Sequence, residues 1–306
     1  MGKIALLFAG QGSQYPGMGK DFYENSPQVK AVFEQLEALR PGTMEQCFNG
    51  TKEALSITMN TQPCMFAVDY AIAKAVQERG ISVDAAAGFS LGEIPALAFA
   101  EVISLSQAFE LVCHRAAVMN DAAEKYPGGM QAILKLPADK ITALAETFSD
   151  VFPVNYNSPE QTAVAGAPEQ LKSFAEAVKA EGGRAVPLAV SGAFHSPYMN
   201  AAAESLADYV QNIDMQQGVC PVYANRTAQP YTVDTAKELV SSQVNHPVQW
   251  VKTIEQMMAD GADCFIEVGP GKTLSGLVKK IAAEAQVYKV ENTADLDALL
   301  QSLNKA

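Results

Sequence analysis

The chain has 306 residues, 48% hydrophobic and 18% charged, with a formal net charge of −12. That length and apolar content suit one large α/β unit carrying an insertion, with a sizeable buried core. The acidic balance argues against nucleic acid or an anionic membrane as the main partner, and a small anionic substrate would need a local cation inside its site.

Residues 3–10, KIALLFAG, read as a buried strand that ends in the glycine-rich loop GQGSQYPGMG. A helical pattern follows over 29–39. Residues 61–78 have the period of a strong amphipathic helix, with Pro63 near its start. ISVDAAAG, 81–88, is a short strand pattern leading to Ser90, and 91–100 and 106–125 read as helices. The character then changes. Strand patterns at 130–136, 151–157, 161–166 and 183–190 alternate with helical patterns at 138–148 and 168–181. That order is β-α-β-β-α-β, the ferredoxin-like pattern, set inside a larger α/β core. Helices are then expected over 200–210, 233–245, 247–260, 272–284 and 295–303, with strands at 219–225, 263–269 and 287–290. The predicted division is a core of residues 1–126 and 192–306 around an insert of residues 127–191.

No apolar run is long enough to span a membrane. The N-terminus lacks the long apolar region of a signal peptide, so a cytoplasmic location is expected. The five cysteines are scattered and form no C-x-x-C, which suits free buried thiols. Three histidines make a histidine-rich metal site improbable, and neither metal nor cofactor is expected.

The stretch Gly88-Phe89-Ser90-Leu91-Gly92 matches G-x-S-x-G and falls where that motif functions, between a strand and a helix. A sharp turn there would present the Ser90 hydroxyl at the strand's end. The alternative is a βα turn with Ser90 as a helix N-cap. A serine nucleophile needs a base within hydrogen-bond reach. His114 lies inside a helix and His246 precedes Pro247, whereas His195 lies in the loop SGAFHSPYM between a strand and a helix. Position therefore favours His195. An oxyanion needs two donors. The backbone N–H groups of Leu91, which follows the serine, and of Gln11, between two glycines, are the candidates. Arg115 stands in an otherwise apolar helix, either reaching past the core to solvent or serving as a fork for a substrate carboxylate. GQGSQY lacks the third glycine of a dinucleotide fingerprint, and GPGKT has Ile266 where a P-loop needs glycine.

Taken together, the stretches FAGQGSQYPGMG, TQPCMFAVDYA, GFSLGE, HRAAVM, GAFHSPYM, NHPVQW and IEVGPGKTLSGL resemble, in order and over nearly the whole chain, malonyl-CoA:acyl carrier protein transacylases and the related acyltransferase domains of polyketide synthases. The resemblance implies an α/β-hydrolase-like core with a parallel sheet plus an inserted ferredoxin-like subdomain. It implies Ser90 as the acylated nucleophile, His195 as its base, Arg115 on the malonyl carboxylate, and an oxyanion hole from the N–H groups of Gln11 and Leu91. The Gln243 carbonyl would orient the histidine, and Gln62 would be a pocket residue. The implied partners are malonyl-CoA and acyl carrier protein, with a monomer as the default. Two positions depart from the family pattern. Phe89 stands where histidine is common before the serine, and Ile94-Pro95 replaces an aromatic–alanine pair, with Pro95 expected to tilt the first helical turn. Phe194 would crowd a C2 substituent. A serine hydrolase acting on acyl thioesters is the alternative activity, and a carboxylate clamp at Arg115 would argue against it. A non-catalytic binding module would be expected to lack Ser90 or His195. Lys272, Lys279 and Lys280 form a candidate basic patch for an acidic carrier protein, or a solvated helix face.

Overall fold

The apolar runs ALLF and CFIEV become neighbouring strands at the centre of a parallel sheet. The computed structural model describes residues 2–303. Its strands are β1 (Lys3–Phe8), β2 (Ala85–Gly88), β3 (Gly129–Leu134), β4 (Val151–Ser158), β5 (Gln161–Gly166), β6 (Arg184–Pro187), β7 (Val222–Tyr223), β8 (Ala262–Val268) and β9 (Gln286–Val290). The parallel sheet has the order β7-β2-β1-β8-β9. Both of its faces are covered. Leu6, Phe8 and Ile266 pack with the helices Thr58–Glu78 and Leu105–Lys125, while Ala5, Leu7 and Phe265 pack with Trp250–Ala259 and Thr273–Ile281. Alternate residues of one strand thus feed two cores, which is why these strands read as unbroken apolar runs.

The second sheet is antiparallel, in the order β4-β5-β3-β6. Ile133, Val151 and Val164 on one face meet Ile141 of the helix Ala138–Ala145 and Leu171 and Phe174 of the helix Pro168–Ala180. The opposite face, with Met130, Val154, Ala163 and Ala165, joins the core of the larger part. The antiparallel sheet is also tied through the main chain to Val248, in the segment that precedes the helix Trp250–Ala259. Val248 N donates to Val154 O at 2.8 Å, and Tyr156 N donates to Val248 O at 2.9 Å.

That tie corrects one expectation. A helix from residue 247 would use the Val248 backbone internally, so the helix begins only at Trp250. The expected strand over 219–225 shrinks to Val222–Tyr223, which frees Asn225 for other bonds. The strand expected over 183–190 ends at Pro187; one more main-chain bond follows, from Leu188 N to Met130 O at 2.9 Å, and the chain then turns off toward the pocket described below. The helix expected from residue 61 starts at Thr58, so Pro63 lies inside it rather than in its first turn. Pro95 is the third residue of the helix Glu93–Phe99, where its missing N–H has no intrahelical partner to lose, and a 3-10 turn at Ser90–Gly92 precedes it. The short helices Lys20–Asn25 and Thr43–Asn49 were not expected from the sequence; they begin at left-handed glycines rather than at side-chain caps. All five cysteines are free, and four are buried. Among the described residues no helix is long and apolar enough to cross a membrane.

Candidate active site

β1 and β2 end side by side, so the loops that follow them meet at the carboxyl edge of the parallel sheet. This edge is where open α/β sheets hold their ligands. Ser90 begins the 3-10 turn one residue beyond Phe89 with φ at +53°, the left-handed region. The flanking glycines are required by contact. A Cβ on Gly88 would stand 1.9 Å from the Gly92 carbonyl carbon, and one on Gly92 would stand 2.3 Å from Phe8 O. The bend is therefore a close crossing of backbone segments that excludes side chains. Ser90 is not the N-cap of an α-helix. Its side chain caps nothing, and its hydroxyl points at other groups.

Of the three histidines, His195 reaches that hydroxyl, with Nε2 at 2.7 Å from Ser90 Oγ. The other ring nitrogen, Nδ1, faces two main-chain carbonyls, Gln243 O at 3.0 Å and His246 O at 3.2 Å. Two acceptors on Nδ1 fix the tautomer that leaves Nε2 free to take a proton. His195 is 3% exposed and also has a positive φ of +61°. Burial, and then the nearby Arg115 cation, lower its pKa to about 4, so the ring is neutral near pH 7. His114 instead stacks on Tyr209 with ring centres 4.2 Å apart, and the His246 ring faces Ser242 O and Asn245 Oδ1.

Arg115 lies on the apolar face of the helix Leu105–Lys125, one turn from both Leu111 and Met119, so its guanidinium enters the core rather than solvent. It is 2% exposed. Nη1 donates to Gln62 Oε1 at 2.6 Å, while Nη2 donates to Gln243 Oε1 at 2.7 Å and to Ser90 Oγ at 3.2 Å. Its Nε is buried without a partner. Burial lowers its pKa to about 10, against the pull of Glu93, so it remains a cation. Gln243 links the group. Its carbonyl faces His195, its Oε1 accepts from Arg115, and its Nε2 donates to Ser90 O at 2.7 Å.

Above Ser90 is a cavity of about 120 Å³. Gln11, Leu91 and Phe89 line it from the parallel part; Met130, Asn155, Ala163 and Leu188 line it from the antiparallel sheet and the segment after it; Phe194 and Met119 close it. Phe89 turns its ring edge-on to Trp250 at 5.4 Å. The site holds several residues that the sequence reading did not single out. The Oδ1 atoms of Asn155 and Asn157 are buried without a partner, and both side chains line the cavity. Glu93 is buried and accepts from the Tyr231 hydroxyl and from Asn225 N. Burial pushes its carboxyl up to about 7. The Asn225 side chain accepts from Ser90 N at 2.7 Å and donates to Gly88 O at 2.6 Å.

The basic patch does not lie together at this edge. Thr273–Ile281 begins where β8 ends and runs back toward the start of β9, so Lys279 and Lys280 sit about 10 Å farther along its axis. Lys272 alone stays at the carboxyl edge, beside Thr273, whose Oγ1 is 3.5 Å from Ser13 Oγ. Among the described residues no group of three or more His, Cys, Asp or Glu is arranged to hold a metal ion.

The acyl transferase domain family model matches residues 5–296. The malonyl CoA-acyl carrier protein transacylase of Bacillus subtilis is 36% identical over 312 aligned positions, spanning 100% of this chain and 98% of that protein. The crystal structure of malonyl CoA-acyl carrier protein transacylase from Clostridium perfringens superposes with a TM-score of 0.95 at 36% identity, covering 99% of this chain and 98% of that one. A type II PKS acyl-carrier protein in complex with its malonyl-transacylase matches with a TM-score of 0.94 at 33% identity, covering 98% and 99%.

Proposed function

The chain belongs to the acyl transferase family, and on that premise we propose that it moves a malonyl group from malonyl-CoA to the phosphopantetheine thiol of an acyl carrier protein through an acyl-Ser90 intermediate. The observation that carries this reading is the position of Arg115 Nη2, 3.2 Å from the same Ser90 Oγ that faces His195. A buried cation beside the nucleophile suits an acyl group that ends in a carboxylate.

In the first half-reaction His195 Nε2 takes the Ser90 proton as Oγ attacks the thioester carbon. The carbonyl oxygen gains charge, and the N–H groups of Gln11 and Leu91 supply the donors for it. The tetrahedral centre collapses, the C–S bond breaks, and His195 returns the proton to the CoA sulfur. In the second half-reaction His195 takes the proton of the carrier thiol, whose sulfur attacks the acyl-Ser90 carbon, and Ser90 leaves with the proton. One thioester is exchanged for another, so no cofactor, metal or net redox change is called for. The guanidinium would hold the malonyl carboxylate after exchanging one of its amide partners, Gln62 or Gln243. Phe194 would narrow the space at C2, and the free oxygens of Asn155 and Asn157 are acceptors for a donor on the thioester arm.

We read the parallel part, residues 1–126 and 192–306, as an α/β-hydrolase-like core and residues 127–191 as a ferredoxin-like insert. The strand–turn–helix setting of Ser90 and the β-α-β-β-α-β order support this. We take the protein to act in the cytoplasm as a single chain. A hydrolase reading has no use for the buried cation. The deciding measurement is intact mass. Malonyl-CoA should add one malonyl group to the protein, carrier protein should remove it and gain it, and loss to water without transfer would overturn the reading.

A further inference from the structure

Ser90 holds a left-handed backbone, with φ at +53°, although it is not glycine. Such a conformation persists only where the surroundings fix it. Both backbone polar groups of Ser90 are held by side-chain amides from distant segments. Gln243 Nε2 donates to its carbonyl, and Asn225 Oδ1 accepts its N–H. The second of these bonds belongs to a larger pattern. β7 pairs with β2 only through Ala86–Val222 and Ala87–Tyr223, and there the ladder of main-chain bonds stops. Two residues on, the Asn225 amide accepts from Ser90 N and donates to Gly88 O. One planar group with a donor and an acceptor thus bridges two backbone positions, as the next peptide of a pairing strand would. The orientation of the amide is forced, because Ser90 N can only donate and Gly88 O can only accept.

Asn225 is itself fixed. It is fully buried, its N–H donates to Glu93 Oε2, and its carbonyl accepts from Gln249 N at 2.8 Å. Glu93 is in turn held by the Tyr231 hydroxyl. We infer that Asn225 is a positioning residue for the nucleophile: its side chain continues the β7–β2 ladder around the bend and holds Ser90 in the backbone conformation that aims Oγ at His195. It does not touch the acyl group. This inference rests on the reading of Ser90 as the acylated residue.

The test compares wild type with Asn225→Ala and Asn225→Asp, well below their melting temperatures. Three quantities are measured: the rate at which a fluorophosphonate probe labels Ser90, the single-turnover acylation rate with saturating malonyl-CoA, and the KM for malonyl-CoA. Asn225→Ala leaves Ser90 N and Gly88 O unpaired. Probe labelling and acylation should both fall about 10- to 100-fold while KM stays within about threefold. Asn225→Asp keeps the size and the acceptor for Ser90 N but loses the donor to Gly88 O, so it should retain the fold and show the same split. Variants that melt earlier yet react with probe and malonyl-CoA at wild-type rates would overturn the inference. So would a rise in KM at unchanged kcat, or a failure of both variants to fold, which would make Asn225 a folding residue. A wild-type protein labelled by the probe but inert to malonyl-CoA would overturn the substrate reading instead, and the probe rates alone would then decide the role of Asn225.

Discussion

Arg115 Nη2 and His195 Nε2 approach the same atom, Ser90 Oγ, from 3.2 and 2.7 Å. The guanidinium and the imidazole are therefore not independent. The guanidinium stabilises negative charge on Oγ, and it disfavours a proton on the imidazole.

Ser90→Ala should abolish acyl-enzyme formation. Intact mass after incubation with malonyl-CoA should rise by one malonyl group in wild type and stay unchanged in the variant. An acylated variant would remove Ser90 from the mechanism.

Arg115→Ala should reduce malonyl transfer about 30- to 1000-fold, the loss expected when one partner of a partly desolvated charge pair is removed. Acetyl transfer should fall less, because acetyl offers the guanidinium no carboxylate. Initial rates with the two CoA esters decide the matter. Equal losses would mean that Arg115 serves only to hold Gln62, Gln243 and Ser90.

The acylation half-reaction should keep its rate down to unusually low pH. On the proposed mechanism His195 acts as a neutral ring, and its pKa is lowered to about 4 by burial and then by Arg115. Activity should therefore be lost only as pH falls through about 4, and the acid limb of kcat/KM for malonyl-CoA reports this. In Arg115→Ala the limb should move up. The same depression affects stability. An unfolded chain takes up the proton below about pH 6.5 while the folded one resists it, so this contribution to stability declines from about 6.5 down to about 4. His195→Gln should remove that part of the slope in urea midpoints measured across the range.

Gly88→Ala should prevent or cripple folding. The added Cβ would meet the Gly92 carbonyl carbon at 1.9 Å, a clash between two backbone segments that cannot rotate away. The cost should exceed about 3 kcal/mol, read as a large fall in melting temperature or loss of soluble protein. A variant that melts like wild type would mean that the bend can open.

Reversing Lys279 and Lys280 to Glu should leave carrier saturation kinetics within about twofold even at low salt, since both lie at the far end of their helix from the site. A clear rise in the carrier KM would put the docking face along that helix.

Ser90 and His195 could be singled out in the sequence because each sits in a short local pattern, whereas the sequence left open whether Arg115 turns to solvent or into the site. The two glycines around Ser90 and the Gly- and Ser-bearing loop of His195 are such patterns. Asn225 was not legible. It is the last residue of a pattern that reads as seven residues of strand, yet only Val222 and Tyr223 pair, and what a polar residue beyond them can bond depends on which strand lies beside it. Asn155 and Asn157 were hidden similarly. Register shifts in β4, between Pro153 and Asn155 and again between Tyr156 and Ser158, interrupt the alternation from which their direction would be read. The element order of both sheets was readable from periodicity, whereas the pairing of Val248 with β4 depends on two chain segments meeting.

That pairing acts as a rivet. The strand that carries Asn155 into the pocket wall is fastened by two main-chain bonds to Val248, two residues past the His246 whose carbonyl faces the His195 ring. An acyl branch that forces the wall outward must drag the same segment with it and loosen the carbonyl grip on the imidazole. Bulk at the substrate would then be felt as misalignment of the base, so that discrimination between acyl groups enters the rate of the proton transfer as well as the fit of the ligand.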